Sequence, residues 1–136
     1  MVKSTLALSG GCHCGQVRYE ANGQPYHATV CHCTDCRRVS GAPMLAWFTV
    51  RAGEFRFVQG TPQRYRSSGK ASRTFCGACG TPLTYQLDGA DEIDVTICSL
   101  DEPEAVPPTD HTFGRSRLHW AEDLESLPVH VTLRPG

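Results

Sequence analysis

The chain has 136 residues, 40% of them hydrophobic and 20% charged, with a formal net charge of −1 at pH 7. That size and balance predict one globular domain and exclude a disordered, fibrous or membrane-spanning chain. The near-neutral charge also argues against a general nucleic-acid or membrane-surface binder, which needs a surplus of Lys and Arg.

In chain order, residues 1–10 carry an apolar stretch too short and too interrupted for a secretory signal. No uninterrupted apolar run approaches the roughly 20 residues of a membrane-crossing helix. The expected address is the cytoplasm. Thiols stay reduced there, so eight cysteines in close sets point to metal rather than to disulfides. The first set is Cys12 and Cys14, between Gly11 and Gly15. In an extended chain both side chains leave on one face and can chelate one ion. Residues 16–20 then alternate as a half-buried strand does.

The second set, Cys31, Cys33 and Cys36, places three thiols within six residues. His32 between them points to the opposite face in an extended CxC. Three protein ligands leave the fourth position of a tetrahedral zinc for water or a substrate atom. Residues 34–40 predict a short helical turn, residues 44–50 a central strand, and residues 54–58 another alternating strand. Turn residues at 52–53, 60–62 and 88–89 separate these runs at hairpin-like distances. The third set, Cys76 and Cys79 followed by Gly80, is a metal knuckle: two thiolates on a tight turn whose glycine is free to take a positive φ. With Cys12 and Cys14 it supplies the four sulfurs of a closed structural zinc. Spacing also permits other partitions, such as Cys12, Cys14, Cys31 and Cys33 on one ion. An ion linking Cys14 to Cys76 closes a long loop, and structural zinc contributes on the order of 10 kcal/mol of apparent binding free energy.

Residues 92–97 alternate again, and Cys98, alone on that strand, reads as a small buried hydrophobe. Pro103, Pro107 and Pro108 predict a loop without regular pairing over residues 101–110. His111 reads as a packed loop histidine, and Trp47 and Trp120 as core aromatics. Residues 121–126 form a second candidate helix, with Glu122, Asp123 and Glu125 on its polar face. The fold class is mainly β: antiparallel sheets stapled by zinc, with little helix.

Three motifs in this order, Gly-Cys12-His-Cys14-Gly, Cys31-His-Cys33-Thr-Asp-Cys36-Arg37-Arg38 and Phe-Cys76-Gly-Ala-Cys79-Gly-Thr-Pro-Leu, make the chain similar to the glutathione-dependent formaldehyde-activating enzyme (GFA) family, also called the centromere protein V domain family. The resemblance runs over residues 10–128, leaving 1–9 as an N-terminal extension and 129–136 as a C-terminal tail. It implies a β-tent fold with two zinc ions per chain. Cys12, Cys14, Cys76 and Cys79 would hold a structural ion, and Cys31, Cys33 and Cys36 a second, catalytic one. It implies condensation of glutathione with formaldehyde to S-hydroxymethylglutathione, a carbon–sulfur lyase in the reverse direction, with a small thiol and an aldehyde as partners. A free thiol, with a pKa near ~8.5, is mostly protonated at neutral pH, and zinc would deprotonate it for attack. Arg37, Arg38 and Lys70 are candidates for the carboxylates of the thiol. The alternative is a non-enzymatic, zinc-stabilised protein-interaction module with both sites structural. A nucleic-acid ribbon is disfavoured by dispersed basic residues, and a redox Cys76–Cys79 pair by the lack of a βαβ context.

Overall fold

The computed structural model describes residues 7–136. Its strands are β1 (Leu8–Gly11), β2 (Arg18–Ala21), β3 (Tyr26–Cys31), β4 (Leu45–Arg51), β5 (Phe55–Gln59), β6 (Gln63–Ser68), β7 (Ala71–Phe75), β8 (Pro82–Leu87), β9 (Glu92–Thr96) and β10 (Asp110–Thr112). The helix α1 (Thr34–Ser40) joins β3 to β4. Strands β1, β2 and β5 form a three-stranded antiparallel sheet, and the others form a seven-stranded sheet in the order β10-β3-β4-β9-β8-β7-β6. Every pairing in the larger sheet is antiparallel except that of β10 with β3. The fold is mainly β, as the alternating sequence requires. No helix among the described residues is long and apolar enough to cross a membrane.

Strand β4 shows how the sheets pack. Phe48 and Val50 point to one face and are fully buried; they join Ile93 and Val95 of β9 in a cluster with Tyr19 and Ala21 of β2. Phe55 and Phe57 of β5 close it from the smaller sheet. Each such side chain removed from water contributes about 1.5–3 kcal/mol. Trp47 and Thr49, one residue out of phase, face the other way, so one side of the large sheet makes the core and the opposite side stays free for chemistry.

Helix α1 spans the predicted residues. Cys33 caps it by accepting a hydrogen bond from the Cys36 N–H, and it ends where the Gly41 N–H donates to the Arg37 carbonyl at 2.7 Å. Elsewhere the structure corrects the sequence reading. The strand expected from residue 16 starts at Arg18, because Cys12 and Val17 close a turn: the Cys12 N–H donates to the Val17 carbonyl at 3.0 Å. Residues 101–110 contain a 3-10 turn, Pro103–Ala105, and end in β10, which the parallel edge of β3 captures. Residues 121–126 belong to 3-10 turns, His119–Ser126, broken at Asp123 (φ −132°). That segment buries no apolar face to hold a helix: Trp120, expected in the core, is 59% exposed. Cys98 is also exposed, because the 3-10 turn Ile97–Ser99 ends the strand alternation and turns its neighbours inward instead. Leu8 and Ser9, counted in the N-terminal extension, pair with Ala21 and Glu20; residues 1–6 of that extension lie outside the described residues.

Candidate metal centres and the adjoining cleft

Two knuckles bring four sulfurs together at the junction of the sheets. After β1 the chain turns at once, with the Gly15 N–H donating to the Cys12 carbonyl at 3.1 Å; after β7 the Gly80 N–H does the same to Cys76 at 2.8 Å. Gly15 and Gly80 both have φ +84°, the left-handed conformation that glycine takes without strain. The CxC is therefore a turn and not the extended segment expected. The His13 N–H donates to Thr81 Oγ1 at 3.0 Å and ties the knuckles to each other. The Sγ atoms of Cys12, Cys14, Cys76 and Cys79 all lie within 4.8 Å of one another. Cys12–Cys14 is 3.6 Å and Cys14–Cys76 is 3.7 Å. A tetrahedral zinc with Zn–S bonds of about 2.3 Å sets its sulfurs about 3.8 Å apart, so the spacing suits the ion. It is far too long for a disulfide, and all eight cysteines are free.

The second group comes from one segment. Cys31 ends β3, Cys33 caps α1, and Cys36 occupies the first turn of the helix, where its N–H donates to Cys33 Sγ at 3.2 Å. Three ligand atoms meet within 4.8 Å, and among the described residues no fourth His, Cys, Asp or Glu joins them. The Cys36 thiol donates to Cys31 Sγ at 3.4 Å. That bond draws Cys31 down to about 5 and pushes Cys36 up. Three thiolates this close repel one another, so only a bound cation would let all three ionise. His32 turns away from the sulfurs. It is 1% exposed, and its Nε2 lies 2.8 Å from His111 Nδ1 with the rings stacked. His111 is thus an exposed residue of β10 partnered with His32, not a packed loop histidine.

The three-sulfur group opens on a cleft of about 610 Å³ over the free face of the large sheet. Cross-strand register builds its floor. Arg73 lies opposite Tyr85, Tyr85 opposite Asp94, and Asp94 opposite Thr49. Thr49 Oγ1 donates to Asp94 Oδ1 at 2.7 Å. Burial holds the Asp94 carboxyl above its ordinary range, against the opposing pull of that hydrogen bond. Trp47 is 6% exposed and lines the cleft from β4, so it serves core and site together. Two non-glycine residues with left-handed backbone, His27 (φ 52°) and Phe113 (φ 53°), line the same cleft. Such strained residues concentrate at functional sites. His27 sits where the β3–β4 register shifts between Tyr26 and Thr29, a bulge that re-aims the strand.

Of the three basic candidates, Arg38 lines a neighbouring hollow of about 730 Å³ together with Arg64 and Arg73. Arg37 is half-buried on α1 and lines neither space; Lys70 is exposed in the β6–β7 turn and also lines neither. The sequence reading missed Arg73 and Asp94. Arg73 lies in the strand Ala-Ser-Arg-Thr-Phe, which lacks an apolar alternation, and Asp94 occupies the polar phase of residues 92–97, which reads as a solvent face.

The family model described as glutathione-dependent formaldehyde-activating enzyme matches residues 7–116. The chain belongs to this family. It is also similar to a solved structure, the crystal structure of a Rhodobacter sphaeroides protein from a structural genomics programme, with 31% sequence identity and a TM-score of 0.60. That similarity covers 76% of this chain and 99% of the other. Both cysteine groups, Arg73 and Asp94 all lie inside the span matched by the formaldehyde-activating enzyme family, and residues 117–136 lie beyond it.

Proposed function

We propose that the protein joins a small thiol, glutathione or one like it, to formaldehyde or a similar aldehyde, and so is a carbon–sulfur lyase in the reverse direction. The observation that carries this reading is the group of three sulfurs, one short of a closed tetrahedron, facing the cleft. A purely structural pair of sites, as in an interaction module, calls for four protein ligands at each. In the proposed reaction a carbon–sulfur bond forms, the carbonyl π bond breaks, and the thiol proton ends on the new hydroxyl oxygen, with no net oxidation.

Cys12, Cys14, Cys76 and Cys79 would hold a structural zinc, and Cys31, Cys33 and Cys36 the zinc of the site. Bound there, the ion would stabilise a substrate thiol as its thiolate at neutral pH. The chain's own residues do the rest. Asp94, steadied at Oδ1 by Thr49, takes the thiol proton at Oδ2 and returns it to the product oxygen. Trp47 and Tyr85 exclude water beside the sulfurs, and Arg38 offers a charge to the far end of an anionic thiol.

The test is adduct formation from glutathione and formaldehyde, followed by NMR with zinc-loaded protein against the uncatalysed background. We expect a rate above background that Cys36→Ser abolishes, and added sulfur at the metal by X-ray absorption when glutathione saturates. A rate equal to background with no change in sulfur coordination would overturn the reading.

A further inference from the structure

Arg73 is the anomaly of the cleft. It sits in the middle of β7 and is only 8% exposed, yet its Nε and Nη1 are buried with no hydrogen-bond partner. Among the described residues no carboxylate pairs with it: the ion pairs are Arg18–Asp101, Arg51–Asp91, Arg56–Glu20 and Arg66–Asp88. Asp94 is bonded to Thr49 instead. The guanidinium carbon lies 4.9 Å from the Tyr85 ring centre and 5.9 Å from that of Trp47. Those rings stabilise the cation and hold its plane in place, but they offer no acceptor to its N–H groups. A buried charge with unmet donors is costly to a fold and is retained where something else meets them.

Its position says what that would be. Arg73 belongs to the wall shared by the cleft of the three cysteines and the hollow of Arg38 and Arg64. A ligand with its sulfur at the cysteines and its body running toward those arginines runs along the wall to which Arg73 belongs. The rigid fork of arginine matches the two oxygens of a carboxylate. We infer that Arg73 anchors a carboxylate of the substrate thiol, so that the site selects thiols carrying a carboxylate over neutral thiols of the same size. Resting on the function proposed above, this inference narrows its substrate class. A compact thiol acid would engage Arg73 alone, and a longer peptide thiol would extend a second carboxylate toward Arg64 and Arg38.

The competing role for Arg73 is to offset the negative charge of a zinc bound by three thiolates, and the experiment separates the two. Zinc-loaded protein is titrated calorimetrically with 3-mercaptopropionate and with its methyl ester, and the cobalt-loaded protein is followed by visible absorption with the same two thiols. We expect the acid to bind about tenfold or more tightly than the ester, as a charge-assisted pair would give. Arg73→Gln should remove that preference while leaving ester binding unchanged, and Arg73→Lys should restore part of it. Circular dichroism and zinc content establish that each variant is folded and loaded. Equal binding of acid and ester to the parent protein, or a preference that survives in Arg73→Gln, overturns the inference. If both thiols shift the cobalt spectrum with the same midpoint concentration, thiol coordination stands while the role of Arg73 falls. If neither shifts it but the Arg73-dependent preference remains, the anchor stands and thiol coordination falls.

Discussion

At the scale of single residues, burial decides which groups change protonation with the fold. Asp94 is held above its ordinary range by burial, so between its unfolded and folded values the native state binds the extra proton. Stability falls as pH rises through that window and stays lowered above it. Asp94→Asn keeps an acceptor for Thr49 and removes the charge. It should therefore raise the melting temperature at pH 7, with a gain that shrinks in acid, while the rate of adduct formation drops. Tyr19 behaves likewise at the alkaline end. Fully buried and hydrogen-bonded to Ser99 at 2.7 Å, it is pushed up from 10.0 to about 12, chiefly by burial. The unfolded chain loses this proton first, so stability declines as pH rises from about 10 toward 12. Denaturant titrations of Tyr19→Phe should show about 1 kcal/mol lost at neutral pH with the Ser99 bond, and a shallower decline above pH 10 than in the parent.

At the scale of elements, the two cysteine groups differ in what they hold together. Cys12 and Cys76 are buried members of the main core cluster, at the ends of strands in different sheets. Cys31 and Cys36 form a smaller cluster with Trp47 at one end of the large sheet. Cys76→Ser should accordingly cost at least several kcal/mol, seen as loss of the far-ultraviolet β signal or of soluble protein. Cys36→Ser should keep the β signal and one equivalent of zinc by metal analysis, and lose the second. Helix α1 and strands β4, β5 and β9 were legible because each is a short run with its own phase and punctuation. Strands β6 to β8 were not: Arg64, Tyr65, Arg66, Ser72 and Arg73 put polar and aromatic groups where an isolated strand shows alternation, and only their neighbours make them sheet residues.

Over the whole molecule, an ion held by the four-sulfur group would clip the small sheet to the large one, and the bidentate Arg18–Asp101 pair adds a weaker tie between β2 and the segment that follows β9. Asp101 lies below its ordinary range because Arg18 bonds it; its contribution is present above the ordinary value and is lost as pH falls through the lowered one. Being exposed, it is worth under about 1 kcal/mol. A zinc ion held by those four sulfurs would be the stronger tie. Titration with a chelator should release zinc in two steps. The first comes from the open three-sulfur group with little change in circular dichroism. The second is accompanied by unfolding, visible as coincident loss of the β signal and of tryptophan fluorescence.

Spacing along the chain was enough to determine the Cys76–Cys79 knuckle, the positive φ at Gly80 and the helix that follows Cys33, since each depends on residues within a turn or two of one another. The gathering of seven sulfurs into a group of four and a group of three, which spacing left open, was decided by where the strands end. The cleft floor belongs wholly to the tertiary structure. Thr49 and Asp94 are 45 residues apart and meet through the register of β4 with β9, and Arg73 reaches the same row through β8. The exposure of Cys98 and Trp120 has the same origin. Burial is a property of what packs against a residue, and a local pattern records only what the residue itself would tolerate.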